Sequence, residues 1–461
     1  MIRFIILFAF IVLVAVGAAW LADHPGSMAL SWAGWRVETS IPVLVLFLLL
    51  VMGLSAVVYR LWLWLLGSPG RIGSVLRGNR KERGYKALTE GMAAIAAGEA
   101  NVASRAAEQA EKLLDGTPMA QLLRAQAAQL AGDDATAEKY FRAMLDTKET
   151  QLVALRGLLI QAGRLGDHKQ ALALAARARN LRPGAGWAVR SLFDLQVSAE
   201  DWTAASQTVA GGQRAGVYSK ENAAHKLAVL YTADALAKEA AGQRHEALTH
   251  AADAIKQDPS HVPAAVLEAR LLAASGKERK AVRHLTSAWQ QTRHPAVAEA
   301  FLALKPGESP AARLARFEGL HKSTPGDGES LLVLARLALE ADDLMQANEA
   351  AQRAIEKAET IDQRHCRLMV SLAERSSDGA EKAREWLMRL ADAPAPAHWQ
   401  CTECGETPPD WHPRCPRCHT FDSLQWQAVR SSADSLLLVD TAAAEKADTT
   451  PEEVEVETVA R

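Results

Sequence analysis

The stretch "GDHKQALALAARARNLRP", residues 166–183, sets the reading of the middle of the chain. A glycine opens it, where the chain can reverse through a left-handed dihedral. Alanine, the best helix former, fills it and lets two helices cross too closely for a larger side chain. Proline closes it and stops the helix from continuing. The same spacing extends in both directions: Gly98, Gly132 and Gly166 are 34 residues apart, and Ala103, Ala137, Ala171 and Ala205 keep that interval. A short insertion near residues 211–220 interrupts the register. Gly242 and Gly276, Ala247 and Ala281, and Ala254 and Ala288 then resume it at 34. Pro183, Pro259 and Pro295 close units. One helix pair cannot bury its apolar face alone, so such units must stack into a continuous core with a concave surface.

This pattern resembles the tetratricopeptide repeat. It implies an α-solenoid over residues 71–393, with roughly eight to nine helix pairs after Gly84. Arrays of this kind bind on their concave face, where exposed side chains grip a peptide or a partner helix. Arg124, Arg156 and Arg190 recur at spacings of 32 and 34, either as a basic ladder for an acidic ligand or as solvated helix charges.

Two uncharged apolar runs precede the repeats, residues 4–22 and 41–59. The first would span about 28 Å as a helix, close to the thickness of a bilayer core. After the second, Arg60 can snorkel to the interface, and Trp62 and Trp64 suit the headgroup belt. We expect residues 1–70 to form an anchor of two transmembrane helices. Arg71, Arg77, Arg80, Lys81, Arg83 and Lys86 come after it, against Glu82 and Glu90. That positive bias puts both termini in the cytoplasm. Between the runs, residues 28–39 hold Trp32 and Trp35 around Gly34, either as a small hairpin lying on the membrane surface or as an aromatic belt pair with no partner.

At the other end stands "HWQCTECGETPPDWHPRCPRCHTFDSLQW", residues 398–426. Cys401 and Cys404 form one C-x-x-C pair, and Cys415 and Cys418 the other. Each pair makes a tight turn that aims two thiolates at one ion, and Gly405 tolerates the positive φ of the first turn. Four thiolates suit tetrahedral Zn²⁺, or Fe in a rubredoxin-like site. A closed shell leaves no position for substrate, so the ion reads as structural. In so short a segment, residues 397–428, metal replaces much of a core. Trp399, Trp411, Phe421 and Trp426 are expected to pack around the ion, while His398, His412 and His419 are rival ligands that read as surface residues. The fifth cysteine, Cys366, reads as a small apolar residue in a helix interface. Residues 431–461 are acidic, lack aromatics and are expected to be disordered.

Formal net charge is −2, and nothing in it points to nucleic acid. No Gly-x-Gly-x-x-Gly turn follows a strand, no P-loop is present and no catalytic dyad has convincing spacing, so we expect no enzyme, no catalytic residues and no cofactor-binding residues. The paired N-terminal runs, "WAGWRVETS" (32–40), "RGNRKERGYKALTEGMAAIAAGE" (77–99) and the repeats resemble the HemY family of proteobacteria. That resemblance implies an inner-membrane protein associated with heme biosynthesis, with heme-pathway enzymes as protein partners. The knuckle and repeats also resemble the lipopolysaccharide assembly protein B family, which implies an adaptor regulating lipid A synthesis. The second apolar run and the aromatic loop count against that alternative.

Overall fold

The computed structural model describes residues 26–32, 35–376 and 379–428, with scattered helical positions before residue 21 and Asp23. Of the expected first span, residues 4–22, about half are described, and those are helical. The acidic tail, 431–461, lies outside the described residues. The chain divides into two compact units, Met1–Thr150 and Gln151–Arg461.

In the first unit, strands β1 (Ser27–Trp32) and β2 (Trp35–Ser40) form an antiparallel hairpin, closed at its tip by Trp32 opposite Trp35. The hairpin runs straight into helix α1 (Ile41–Ala96). Residues Ile41–Leu63 of α1 are apolar, long enough to cross a membrane and unburied by protein. The boundary expected at residue 70 lies inside this helix, so the candidate span and the first repeat helix are one element. The C-terminal part of α1 packs on α2 (Ala100–Leu113), and α3 (Pro118–Ala131) on α4 (Asp134–Met144). Gly91 on α1 faces the second pair so closely that a Cβ there would come within 2.7 Å of the Leu123 side chain.

The second unit continues with seven helix pairs among the described residues: α5 (Gln151–Arg164) with α6 (His168–Leu181), α7 (Gly186–Ser198) with α8 (Trp202–Arg214), α9 (Lys220–Ala240) with α10 (Arg244–Gln257), and α11 (Val262–Ala274) with α12 (Glu278–Thr292). Then come α13 (Pro295–Ala303) with α14 (Pro310–His321), α15 (Gly328–Glu340) with α16 (Leu344–Lys357), and α17 (Gln363–Glu374) with α18 (Gly379–Asp392).

Most turns inside a pair reverse through a left-handed residue, and several add a capping aspartate. Gly166 is left-handed at φ 70°, and the next residue, Asp167, caps the second helix by accepting from the Gln170 amide. Such a cap contributes about 1 kcal/mol. Glu200 and Asp342 take the same left-handed turn at φ 55° and 62°, each followed by a capping aspartate, Asp201 or Asp343. These two turns keep the geometry after losing the glycine, which explains why the motif letters degenerate while the fold does not. Ala171, Ala205, Ala247, Ala281 and Ala347 are all buried where the paired helices cross.

Helix α9 breaks the uniformity. It starts 22 residues before its turn glycine, Gly242 (242 − 220), whereas α11 starts 14 before Gly276 (276 − 262). The eight extra residues add about 12 Å at the N-terminal end. They carry His225 and Lys226. Cys366 on α17 is buried, as its sequence context implies.

A candidate metal centre and its dock on the repeats

The C-terminal segment folds as strands β3 (His398–Cys401) and β4 (Leu424–Gln427), paired antiparallel, with two cysteine turns between them. In the first turn Gly405 is left-handed at φ 72°, and its amide donates to the Cys401 carbonyl. In the second turn His419 takes that place at φ 58°, and its amide donates to the Cys415 carbonyl. His419 therefore serves through its backbone, and its carbonyl accepts from the Arg414 guanidinium at 3.1 Å. His398 Nδ1 lies 3.2 Å from the Pro396 carbonyl. Neither histidine belongs to the cysteine cluster.

The four sulfurs of Cys401, Cys404, Cys415 and Cys418 lie within 4.8 Å of one another. Two of the separations, Cys401–Cys418 and Cys404–Cys415, are 3.6 Å. A tetrahedron with metal–sulfur bonds of about 2.3 Å has edges of about 3.8 Å, so the spacing fits one ion. The electrostatics fit as well. Burial raises the Cys401 thiol, but the Ser423 hydroxyl and the Cys404 and Glu403 amides outweigh it and bring the pKa to about 6. At Cys404 the Glu406 amide favours the thiolate, yet burial and the sulfurs of Cys418, Cys401 and Cys415 push the pKa up to about 12. One proton leaves readily and another is retained unless a cation arrives. Four cysteines at metal-binding distance are the chemistry of a closed structural site.

The aromatic residues of this knuckle behave differently from expectation. Trp399 and Trp411 border the sulfur core, but Phe421, Trp411, Trp399 and Trp426 also reach the repeats. Phe421 enters the core between α7 and α9, edge-on to Phe193 at 5.3 Å, with the Lys226 ammonium 5.4 Å and 5.8 Å from the two ring centres. Trp411 stands edge-on to His261 at 5.2 Å. His294 lies 4.3 Å from Trp426 and 5.6 Å from Trp399.

One ionic link ties the contact together. His225 Nδ1 is 3.0 Å from Asp258 on the repeats, and its Nε2 is 3.2 Å from Asp422 on the knuckle. The hydrogen bond to Asp258, then that to Asp422, raises the His225 pKa to about 10, so the ring is charged at neutral pH. His261 and His294 go the other way. Burial lowers each to about 4, helped at His261 by the charge on His225. Their apolar partners suit neutral rings. The histidines at the dock were not singled out by sequence reasoning. One trace was present: the interval from Glu200 to Gly242 is 42 instead of 34, and the extra length is what carries His225. A second trace is that His261 and His294 both immediately precede helices opened by proline.

Arg124 donates to Glu108 at 3.0 Å, and the Arg156 guanidinium lies 5.8 Å from the Trp187 ring centre. Two of the three arginines of the suspected ladder therefore have partners inside the protein.

Comparison with known proteins bears on the N-terminal unit. Residues 26–132 match the family described as HemY protein N-terminus. The chain carries a HemY N-terminal region. That region takes in the hairpin, the candidate span and helices α1 to α3, and it ends at the turn glycine Gly132. A curated relative, described as a probable magnetosome protein Mms48, from Magnetospirillum gryphiswaldense, is 24% identical over 453 residues, covering 95% of this chain and 96% of its own. Among solved structures, the chain is similar to PilF of Pseudomonas aeruginosa (15% identity, TM-score 0.25, 53% of this chain and 92% of the other). It is also similar to MamA from Desulfovibrio magneticus RS-1 (16% identity, TM-score 0.23, 38% and 93%). Its own helix pairs and left-handed turns make the chain a tetratricopeptide-type helical protein, and it carries a four-cysteine cluster.

Proposed function

We propose that this HemY-like protein is a non-catalytic, membrane-tethered adaptor that gathers enzymes of late porphyrin synthesis at the cytoplasmic face of the bacterial inner membrane. The observation that carries the reading is the continuity of α1, in which an apolar span passes without a break into the first repeat helix of a HemY N-terminal region. That continuity tethers the repeats close to the lipid. Two spans, residues 4–22 and 41–59, and the basic residues after them favour cytoplasmic termini. Cys401, Cys404, Cys415 and Cys418 hold Zn²⁺, or Fe in a rubredoxin-like manner, as a structural ion. When bound, that ion supplies the knuckle with the core its short segment lacks, and the knuckle covers the first-helix faces of the repeats from α7 to α13.

Crosslinked capture of the full chain from native membranes, combined with porphyrin profiling of a deletion strain, tests the partner. Recovery of porphyrin enzymes together with an altered pool of intermediates is expected. An unchanged pool with recovery of lipid A enzymes would favour the lipopolysaccharide assembly protein B reading, which the four-cysteine knuckle alone also supports.

A further inference from the structure

Beyond the knuckle, the first-helix faces of α13, α15 and α17 form a half-open cleft of about 360 Å³. Leu332, Val333, Leu339 and Leu368 line it. Its rim is charged. Arg336 pairs with Glu299 at 2.7 Å and Arg364 with Glu329 at 2.8 Å, while Arg367 donates to a neutral partner, Gln363. The path of the chain leads to this cleft. After α18, the linker passes the start of α17, where the Gln363 amide and side chain donate to the carbonyls of Pro394 and Ala393 at 3.1 and 3.3 Å. It then enters β3 at His398. Because β4 is antiparallel to β3, with Gln427 opposite His398, the chain leaves the knuckle back toward the side from which the linker came.

Residues 429–461 make up the remaining tail. They are mostly polar and acidic, but hold one compact apolar run, Leu436-Leu437-Leu438-Val439, flanked by Asp434 and Asp440. Eight extended residues reach about 26 Å, and β4 starts them close by, since its Trp426 packs on His294, the neighbour of the cleft-lining Pro295. We propose that this segment of the chain's own tail docks in the cleft on α13, α15 and α17, with its leucines on the apolar floor and an aspartate toward Arg367. The groove left open by the knuckle would then be held by an intramolecular ligand that a partner must displace. This inference goes beyond the adaptor reading and does not depend on which enzymes are gathered.

The test places the photo-crosslinking residue p-benzoylphenylalanine at position 437 of the full-length protein in native membranes. Crosslinks within one chain to peptides of α15 and α17 are expected, falling at least fivefold in an Arg367→Glu variant and in a tail variant, Leu436→Ser with Leu438→Ser. The tail variant cannot unfold the repeats, so it separates loss of docking from loss of fold. Crosslinks to a second copy, to another protein, to lipid or to some other part of the chain would overturn the proposal. So would a tail variant that leaves the α15 and α17 crosslinks unchanged.

Discussion

Replacing Phe421 with alanine should release the knuckle from the repeats without costing it the metal. Phe421 is not a sulfur ligand, and its ring lies in the core between α7 and α9. Partial burial of a phenylalanine contributes about 1–2 kcal/mol. The edge-on pair with Phe193 adds about 0.5–1.5 kcal/mol, and the Lys226 ammonium about 0.5 kcal/mol. Together these give about 2–4 kcal/mol, all of it between knuckle and repeats, which is roughly a 30- to 1000-fold rise in the undocked fraction. Hydroxyl-radical footprinting reads this directly, because Phe193, Trp411 and Trp426 become reactive when the contact opens. The double variant with Phe193→Ala should fall short of additivity by about 1 kcal/mol, since the two rings share one interaction. Two results would refute the reasoning: a knuckle that no longer binds metal even with the ion in excess, which would make Phe421 a part of the metal core, or a footprint on Phe193 that does not change.

Further expectations concern single features. His419→Gly should stabilise the knuckle by about 1 kcal/mol, because glycine adopts the left-handed turn without steric cost, and a rise in the melting temperature of the metal-loaded protein checks it. Acidification should loosen the dock. His261 and His294, at about 4 when folded against an ordinary 6.5, contribute stability that is present above 6.5 and is lost as pH falls toward 4. His225, raised to about 10, contributes stability that is present below 6.5 and is lost as pH rises through 10, so footprinting across pH should show the tightest contact between those limits. Gly91→Val should destabilise the N-terminal unit by about 1–3 kcal/mol, as its branches meet Leu123, and thermal unfolding of the detergent-solubilised chain measures this.

The repeat architecture was legible because its constraints are local. A left-handed turn and a close helix crossing each demand a particular residue class, and they recur at 34. Legibility fades where aspartate and glutamate take over the turn, as at Glu200 and Asp342, since a capping aspartate on the next residue holds the same geometry. The four cysteines were equally plain, because two short turns bring their sulfurs together. What the sequence hid was the dock. His225 and Asp422 stand 197 residues apart, and no local pattern relates them. The knuckle aromatics were expected around the ion because they are near the cysteines in sequence, but their rings serve two surfaces at once. The tryptophans and the intervening glycine left a hairpin and an aromatic belt pair equally open; the continuity of α1 past residue 70 was not legible, since the composition changes there while the helix does not.

Metal content and dock occupancy, followed together in one titration of the full-length protein with a chelator, would probe the structure most directly. Footprinting of His261, His294 and Phe193 should rise in step with metal release, while Trp289, buried in the α12–α14 core, stays protected. A Cys404→Ser, Cys418→Ser variant should start in that released state. Unchanged protection of the three dock residues after the metal is gone would mean that the knuckle holds to the repeats without an ion, and a sulfur-bound metal would not then be what shapes this face of the protein.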